Sequence, residues 1–257
     1  MHAQSLTTPP ELDDLIDAGL RLGADPRLVQ GAGGNLSVKT GGTLWIKASG
    51  TRLREGADRQ IYVPMDEAAT RDAVLVTEDL LPFVLPGDGH AGLRPSIETA
   101  LHVLLPHPVV FHVHGVGSIA AGLSGSVHDA TAALPADVDT VVVPYAKPGV
   151  ELARAVLTAT GDRLRPERPV VLVLVNHGLV VGAHDGAEAL RLLDLAESVF
   201  RTADAPAVTA EGELLCPPGT VDETAADVLC AGALTPDSAV FLGPAPFERI
   251  AAGPPAA

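Results

Sequence analysis

The sequence predicts an α/β fold, because short apolar strands alternate along it with amphipathic helices. A run of valine and leucine at residues 170–175 is typical of a buried strand. Apolar residues at helical spacing over residues 11–22 and 186–203 predict helices that can pack on a sheet. Hydrophobic residues make up 47% of the 257-residue chain, so a large core is expected rather than disorder.

The N-terminal part is expected to form a helix, a hairpin and a third strand. The helix at residues 11–22 leads into a glycine-rich loop at residues 31–35. The predicted strands are residues 36–39, 43–47 and 61–64. A turn at residues 40–42 joins the first two strands, because it contains two consecutive glycines. Asp66 is a candidate cap for a helix that runs to about residue 76.

The remaining sequence is expected to continue the domain to about residue 205. After a loop rich in glycine and proline at residues 86–95, Ser96 is a candidate N-cap for a helix over residues 97–105. Further strands are predicted at residues 109–114, 140–143, 170–175, 179–183 and 239–242, and further helices at residues 150–160, 186–203 and 222–230. We therefore expect one domain over residues 1–205 and a C-terminal extension, residues 206–257, packed on it.

Charge and cysteine content exclude several classes of protein. The formal net charge is −15, from 32 acidic and 17 basic residues. Nucleic acids and anionic membranes are recognised by clustered lysine and arginine, so neither is an expected partner. The two cysteines, Cys216 and Cys230, are too few for a disulfide framework. The N-terminus does not resemble a signal peptide, and no apolar run is long enough to span a bilayer, so a cytoplasmic protein is expected.

Two histidines on one predicted strand are the strongest candidates for a metal site. His112 and His114 are two positions apart, and side chains alternate along a strand, so both should face the same side, roughly 7 Å apart along the backbone. Two imidazoles on one face can chelate a single metal. The alternative is a surface pair on an edge strand, and the pair alone does not decide between the two.

A third histidine, His177, interrupts an apolar run that otherwise predicts two strands. A histidine buried there needs a hydrogen-bond partner or a metal, because an unsatisfied polar group in a core is costly. A ligand role and a core histidine bonded to a backbone carbonyl both remain open. Gly178, directly after it, would let the backbone or a ligand approach closely.

Glu98 completes the candidate site. It lies in the first turn of the helix predicted after Ser96, where the helix dipole favours a carboxylate. A fourth metal ligand and a general base are the two functional interpretations. His102 lies one turn further along the same face, and we interpret it as a packing residue.

A glycine-rich loop provides a candidate anion site. Backbone N–H groups that could converge on an oxyanion are those of Gly33, Gly34, Asn35, Ser49 and Gly50. Glycine clusters also mark ordinary turns, so the loop alone is weak evidence. The basic residues that could supply the positive field required by a phosphate are Lys47, Arg52 and Arg94.

Taken in order, these motifs resemble the class II aldolase/adducin family. The segments that carry the resemblance are residues 34–39, 47–50, 96–98, 112–114 and 176–178. It extends from about residue 12 to residue 203. Residues 95–107, 234–237 and 240–244 are especially similar to the aldolase half of bifunctional rhamnulose-1-phosphate aldolase/short-chain dehydrogenases.

The resemblance implies a three-layer α-β-α fold around a central, mainly antiparallel sheet. It implies a metal-dependent aldolase or lyase that cleaves or forms a C–C bond in a small sugar or sugar phosphate, through an enediolate stabilised by Zn²⁺ or by Mn²⁺, Co²⁺ or Fe²⁺. It also implies a homotetramer with active sites between subunits. Epimerases, dehydratases, decarboxylases and iron-dependent oxygenases use the same scaffold, and adducin-like modules keep it without catalysis, so these alternatives remain open.

The resemblance also assigns roles to single residues. His112, His114 and His177 match the family's zinc ligands. Glu98 matches the carboxylate that holds the metal at rest and becomes the acid/base when substrate binds, and Tyr145 matches a tyrosine proton donor. The positions that match phosphate-binding residues are Asn35, Ser49, Gly50 and Ser96.

Two departures from the sugar-phosphate aldolases concern the phosphate. This chain has Ile97 where they carry a second serine, so one hydroxyl is missing. The segment between Glu98 and His112 is also shorter than in fuculose-phosphate aldolase. The resemblance therefore leaves open whether the substrate is phosphorylated.

Overall fold

The computed structural model describes residues 8–87, 89–124, 127–200, 207–208 and 214–215. The helix predicted at residues 222–230 and the strand predicted at residues 239–242 lie outside the described residues. The chain divides into two compact units, Met1–Ala205 and Pro206–Ala257. In the second unit, strands β8 (Ala207–Val208) and β9 (Leu214–Leu215) pair antiparallel. Packing of the C-terminal extension on the first unit stays a prediction.

A seven-stranded sheet forms the centre of the first unit. Its strands are β1 (Asn35–Thr40), β2 (Thr43–Lys47), β3 (Tyr62–Asp66), β4 (Val109–Val113), β5 (Asp139–Val143), β6 (Val170–Leu174) and β7 (Gly178–Ala183). They lie in the order β3-β2-β1-β4-β7-β6-β5. All neighbours are antiparallel except β5 and β6, which are parallel. The mainly antiparallel sheet that we predicted is therefore confirmed.

Helices cover both faces of this sheet. They are α1 (Pro10–Gly23), α2 (Glu67–Ala73), α3 (Thr99–Leu104), α4 (Val116–Ser124), α5 (Val127–Thr131), α6 (Val150–Thr160) and α7 (Gly186–Phe200). One face packs against α1, α4, α5 and α7, and the other against α2, α3 and α6. This is the predicted three-layer α-β-α arrangement. Within the described part of the chain, no helix combines the length and the apolar character required to cross a membrane.

Local signals account for the first turns of the chain. Gly41 and Gly42 have φ angles of 57° and 77°, which a tight two-residue hairpin turn between β1 and β2 requires. Asp66 caps α2, since its side chain accepts a hydrogen bond of 2.9 Å from the N–H of Ala69. The helix ends at Ala73, three residues before the predicted end.

The start of α3 differs from the prediction. Ser96 is not its N-cap: the helix begins at Thr99, and Glu98 occupies the position before it. The Ser96 hydroxyl instead accepts a hydrogen bond of 3.2 Å from the Glu98 N–H, so a separate turn precedes the helix. This turn directs the Glu98 side chain into the interior, where it is 4% exposed.

Helices α4 and α5 were not predicted from the sequence. The segment that forms α4 is rich in glycine, alanine and serine, so the apolar spacing that marks a helix is weak there. The helix is stabilised by tertiary packing instead, since Ala121 lies in the core between the sheet and α7.

Candidate metal centre

Strand β4 positions the first two histidines. It lies between β1 and β7, so it is an interior strand and not the edge strand of the alternative interpretation. Phe111 and Val113 face the core on the side of α1 and α7, and His112 faces the opposite side, toward α3. His114 follows the last residue of β4, and its Nε2 lies 3.0 Å from Nε2 of His112.

The loop between β6 and β7 positions His177. Antiparallel pairing of β7 with both β6 and β4 places this loop at the end of β4, where Val113 pairs with Leu179. The His177 N–H donates to the Leu174 carbonyl at 3.0 Å, which closes the turn. The ring of His177 consequently lies 4.8 Å, between centroids, from that of His112 and 5.1 Å from that of His114.

Glu98 approaches the three histidines from the helical layer that contains α3. Its Oε2 lies 3.3 Å from His112 Nε2, and its Oε1 lies 3.5 Å from His177 Nε2. One ligand atom from each of Glu98, His112, His114 and His177 lies within 4.8 Å of the others. None of the four residues is more than 7% exposed. We call these four residues the metal cluster.

The Glu98 carboxylate is held in its charged form. Burial raises its pKa, but the three imidazoles of the metal cluster, His112 most strongly, and a hydrogen bond from Asn35 outweigh burial and lower the pKa to about 2. Glu98 therefore carries a negative charge at neutral pH. A buried negative charge requires a compensating cation, which is either a protonated imidazole or a metal ion.

The donor set of the metal cluster fits a divalent metal. Three imidazoles and one carboxylate are a common ligand set for zinc and other first-row metals. His112 Nδ1 lies 2.9 Å from the carbonyl oxygen of Leu179. A carbonyl oxygen only accepts, so Nδ1 carries the proton and Nε2 directs its lone pair into the cluster, as metal-binding histidines usually do.

Asn35 and His102 lie directly behind Glu98. The Asn35 Nδ2 donates to Glu98 Oε2 at 2.8 Å, and Asn35 Oδ1 is hydrogen-bonded to His102 Nε2. On the other side of the His102 ring, Nδ1 lies 2.7 Å from the Ser37 hydroxyl. The sequence predicts a phosphate-binding role for Asn35 and a packing role for His102, and it predicts no role of its own for Ser37. The spacing of Asn35 and Ser37 on one face of a strand was the available signal.

The other predicted phosphate residues lie next to each other. Ala48 pairs with Pro95 in an isolated bridge, which brings Ser49 and Gly50 beside Ser96. Ser49 and Gly50 are exposed, whereas Ser96 is buried. Some of the predicted donors are already engaged: the N–H of Ser49 donates to Arg94 O at 2.9 Å, and that of Gly33 donates to Gln30 O at 2.9 Å.

The three basic residues differ in their surroundings. Lys47 is buried, and its ammonium group donates to the Ala32 carbonyl at 2.9 Å, beneath the glycine-rich loop. Arg52 and Arg94 are exposed. The structure therefore places one buried basic residue at this loop and two at the surface.

Tyr145 is not part of the metal cluster. It lies in the loop after β5 and is 56% exposed. Ile97 is 66% exposed, and its carbonyl oxygen lies 3.6 Å from the position of a Cβ at Gly149, at the end of this loop. The loop that carries Tyr145 thus approaches the backbone at Ile97.

A known protein family matches most of this chain. The family model for the class II aldolase and adducin N-terminal domain matches residues 13–203. No curated protein matches the chain significantly.

Solved structures share the fold. The N-terminal class II aldolase domain of a conserved protein from Thermoplasma acidophilum is 24% identical, with a TM-score of 0.59 over 78% of this chain and 100% of that chain. A sugar-phosphate aldolase from Thermotoga maritima is 17% identical, with a TM-score of 0.55 over 74% of this chain and 91% of that chain. An aldolase II superfamily protein from Pseudomonas syringae is 19% identical, with a TM-score of 0.52 over 87% of this chain and 85% of that chain.

Proposed function

Because the chain belongs to the class II aldolase and adducin N-terminal domain family, we propose that it is a metal-dependent enzyme that cleaves or forms a C–C bond in a small sugar or sugar phosphate. The observation that carries this proposal is the metal cluster, in which four buried ligand atoms from three separate parts of the chain lie within 4.8 Å of one another. Such a cluster costs folding free energy unless a cation compensates it, so its presence favours a bound metal ion.

The proposed cofactor is Zn²⁺, with Mn²⁺, Co²⁺ and Fe²⁺ as other metals that the ligand set accepts. His112, His114 and His177 would hold it, with Glu98 as the fourth ligand. When bound, the cation supplies the Lewis acidity that stabilises negative charge on the substrate oxygens.

Two side chains of this protein are proposed to handle protons. Glu98 is ionised and buried beside the three histidines, so its carboxylate can accept a proton from the substrate and return it. Tyr145 is proposed to donate a proton to the aldehyde oxygen when the C–C bond forms and to take that proton back from the hydroxyl when the bond is cleaved, and its exposed phenol is accessible to a substrate or a neighbouring subunit. Burial of Glu98 also keeps bulk water away from its carboxylate.

The substrate is proposed to lie between the metal cluster and the exposed loop at Ser49 and Gly50. Ser96 and the backbone N–H of Asn35 are proposed to complete the phosphate site, since the side-chain amide of Asn35 is bonded to Glu98 and His102. Ile97 stands where a second hydroxyl would be. The resemblance to the aldolase half of bifunctional rhamnulose-1-phosphate aldolase/dehydrogenases favours a deoxy-sugar derivative. We also propose, from family resemblance alone, a homotetramer, which sedimentation analysis would test.

Aldol condensation tests the reaction directly. Purified protein loaded with zinc would be incubated with lactaldehyde and either dihydroxyacetone phosphate or dihydroxyacetone, and the products separated by chromatography. We expect a condensation product with at least one of the two donors. Metal retention without any product would contradict the aldolase proposal and favour another reaction of an enolate. Failure to retain metal after supplementation would favour a non-enzymatic, adducin-like module.

A further inference from the structure

Behind the metal cluster, four side chains form a hydrogen-bonded chain that runs from β1 to Glu98. Asn35 and Ser37 lie on one face of β1, and His102 lies one helical turn after Glu98. Ser37, His102 and Asn35 are all buried, with exposed fractions of 0%, 0% and 5%. Since Asn35 pairs directly with His112 across the sheet, the chain ends beside a residue of the metal cluster.

The direction of each hydrogen bond follows from the chemistry of its partners. A carboxylate only accepts, so the group of Asn35 that lies 2.8 Å from Glu98 Oε2 is the NH₂. The Asn35 carbonyl oxygen therefore faces His102, and the His102 Nε2 must carry the proton that it accepts. Burial lowers the pKa of His102 to about 3, so the ring is neutral and its Nδ1 accepts from the Ser37 hydroxyl at 2.7 Å.

We propose that Ser37, His102 and Asn35 are positioning residues that orient the Glu98 carboxylate in the metal cluster and thereby set the affinity for a divalent metal. This inference rests on the proposed function. Without the N–H of His102, the Asn35 amide keeps its bond to Glu98, but its buried carbonyl oxygen loses its donor, so the amide holds the carboxylate in place less firmly. Outer partners of metal ligands typically change metal affinity by about 10- to 100-fold when they are removed.

Three variants test whether the hydrogen-bonded chain sets the metal affinity or only stabilises the fold. His102→Phe removes both hydrogen bonds of the ring, whereas His102→Gln keeps one donor for Asn35 and one acceptor for Ser37. His107→Phe is the matched control, because His107 is also fully buried and its Nε2 is hydrogen-bonded to the Arg168 carbonyl at 2.8 Å. His107 is not part of the hydrogen-bonded chain that leads to Glu98. Zinc affinity would be measured by competition with a chromophoric chelator, and ligand geometry from the visible spectrum of the cobalt-substituted protein. Thermal unfolding of each variant would be recorded in parallel.

We expect His102→Phe to weaken zinc binding by about 10-fold or more and to change the cobalt spectrum. His102→Gln should recover most of the affinity, and His107→Phe should bind zinc like the wild type even if it unfolds at a lower temperature. Should His102→Phe not fold, Ser37→Ala provides the same test at the far end of the chain, with a smaller loss of affinity expected.

Two results would overturn the inference while leaving the proposed function intact. The first is a His102→Phe protein whose zinc affinity and cobalt spectrum are those of the wild type. If His102→Phe does not fold, the same result in Ser37→Ala would count instead. The second is a loss of zinc affinity in His107→Phe that is as large as the loss in His102→Phe. A wild-type protein that binds neither zinc nor cobalt would refute the proposed function, and the positioning role with it.

Discussion

Gly178 packs so closely against Val113 that a Cβ at position 178 would lie 2.1 Å from the Val113 carbonyl oxygen. Its φ angle of 147° is also one that other residues rarely adopt. Asn176, two residues earlier, has a φ of 56°, which asparagine tolerates better than most residues. The turn that presents His177 therefore fits against β4 only with glycine at position 178.

Gly178→Ala should displace this turn and separate His177 from the other histidines. We expect a loss of stability of about 3 kcal/mol or more, from strain and overlap with backbone, and a strong loss of zinc binding. Gly41→Ala is the control, because Gly41 also has a positive φ, 57°, but open space around its Cβ position. It should cost about 1 kcal/mol and leave zinc binding unchanged. Equal zinc affinity in both variants would contradict the role of Gly178.

His112→Ala should abolish metal binding, because His112 lies at the centre of the metal cluster, within 3.3 Å of both Glu98 and His114. Turnover should fall by about 10²-fold or more, since Lewis-acid stabilisation contributes several kcal/mol. His184→Ala, at an exposed histidine outside the cluster, is the control. Metal content would be measured by elemental analysis after dialysis, and a fully active, metal-replete His112→Ala protein would refute the ligand assignment.

Glu98→Gln separates the two roles proposed for this carboxylate. A neutral amide is a weaker metal ligand, so zinc affinity should fall. At saturating zinc, kcat should still be lower by about 10²- to 10⁴-fold, because an amide cannot accept a proton. Glu151→Gln, on the exposed side of α6, should leave both quantities unchanged. If kcat recovers fully at saturating zinc, Glu98 is a ligand and not the acid/base.

His102 should make the metal-free protein sensitive to acid. Burial lowers the pKa of His102 from 6.5 to about 3, so between these values the unfolded chain binds a proton that the folded protein does not. Stability should consequently fall as the pH decreases below 6.5, by up to about 1.4 kcal/mol per pH unit from this residue. Glu98 also lowers the stability as the pH decreases, but only below pH 4.5, the ordinary pKa of a glutamate.

The range from pH 6.5 to 4.5 therefore isolates His102 from Glu98. Urea unfolding of the wild type and of His102→Gln, both with a chelator present, would give the free energy of unfolding across this range. We expect a shallower decrease in the variant, and parallel curves would show that His102 does not contribute.

Ile97→Ser should increase the preference for a phosphorylated substrate, because it supplies the hydroxyl that the chain lacks at this position. A hydrogen bond to a charged group contributes about 1.5–3 kcal/mol, so the ratio of kcat/KM for dihydroxyacetone phosphate to that for dihydroxyacetone should rise about 10-fold or more. Val76→Ser, at a valine that is 83% exposed, provides the control. An unchanged ratio in Ile97→Ser would show that no phosphate binds beside residue 97.

The sequence by itself determined the features that depend on neighbouring residues. Strand alternation correctly placed His112 and His114 on one side of the chain, and apolar spacing gave the bounds of α6 without error. Both follow from local sterics, since the periods of a strand and a helix are fixed by the backbone. The start of α3 was misplaced, because Ser96 forms a turn of its own, and sequence alone does not distinguish that turn from a cap.

Only the tertiary structure decided which distant groups meet. His177 reaches the other histidines because β7 pairs with β4, and that pairing is set by burial of the whole sheet rather than by residues 176–178. The amide of Asn35 contacts Glu98, 63 positions away, and His102, 67 positions away. Hydrogen bonds between such distant side chains depend on how a helix docks on a strand, so no local pattern predicts them.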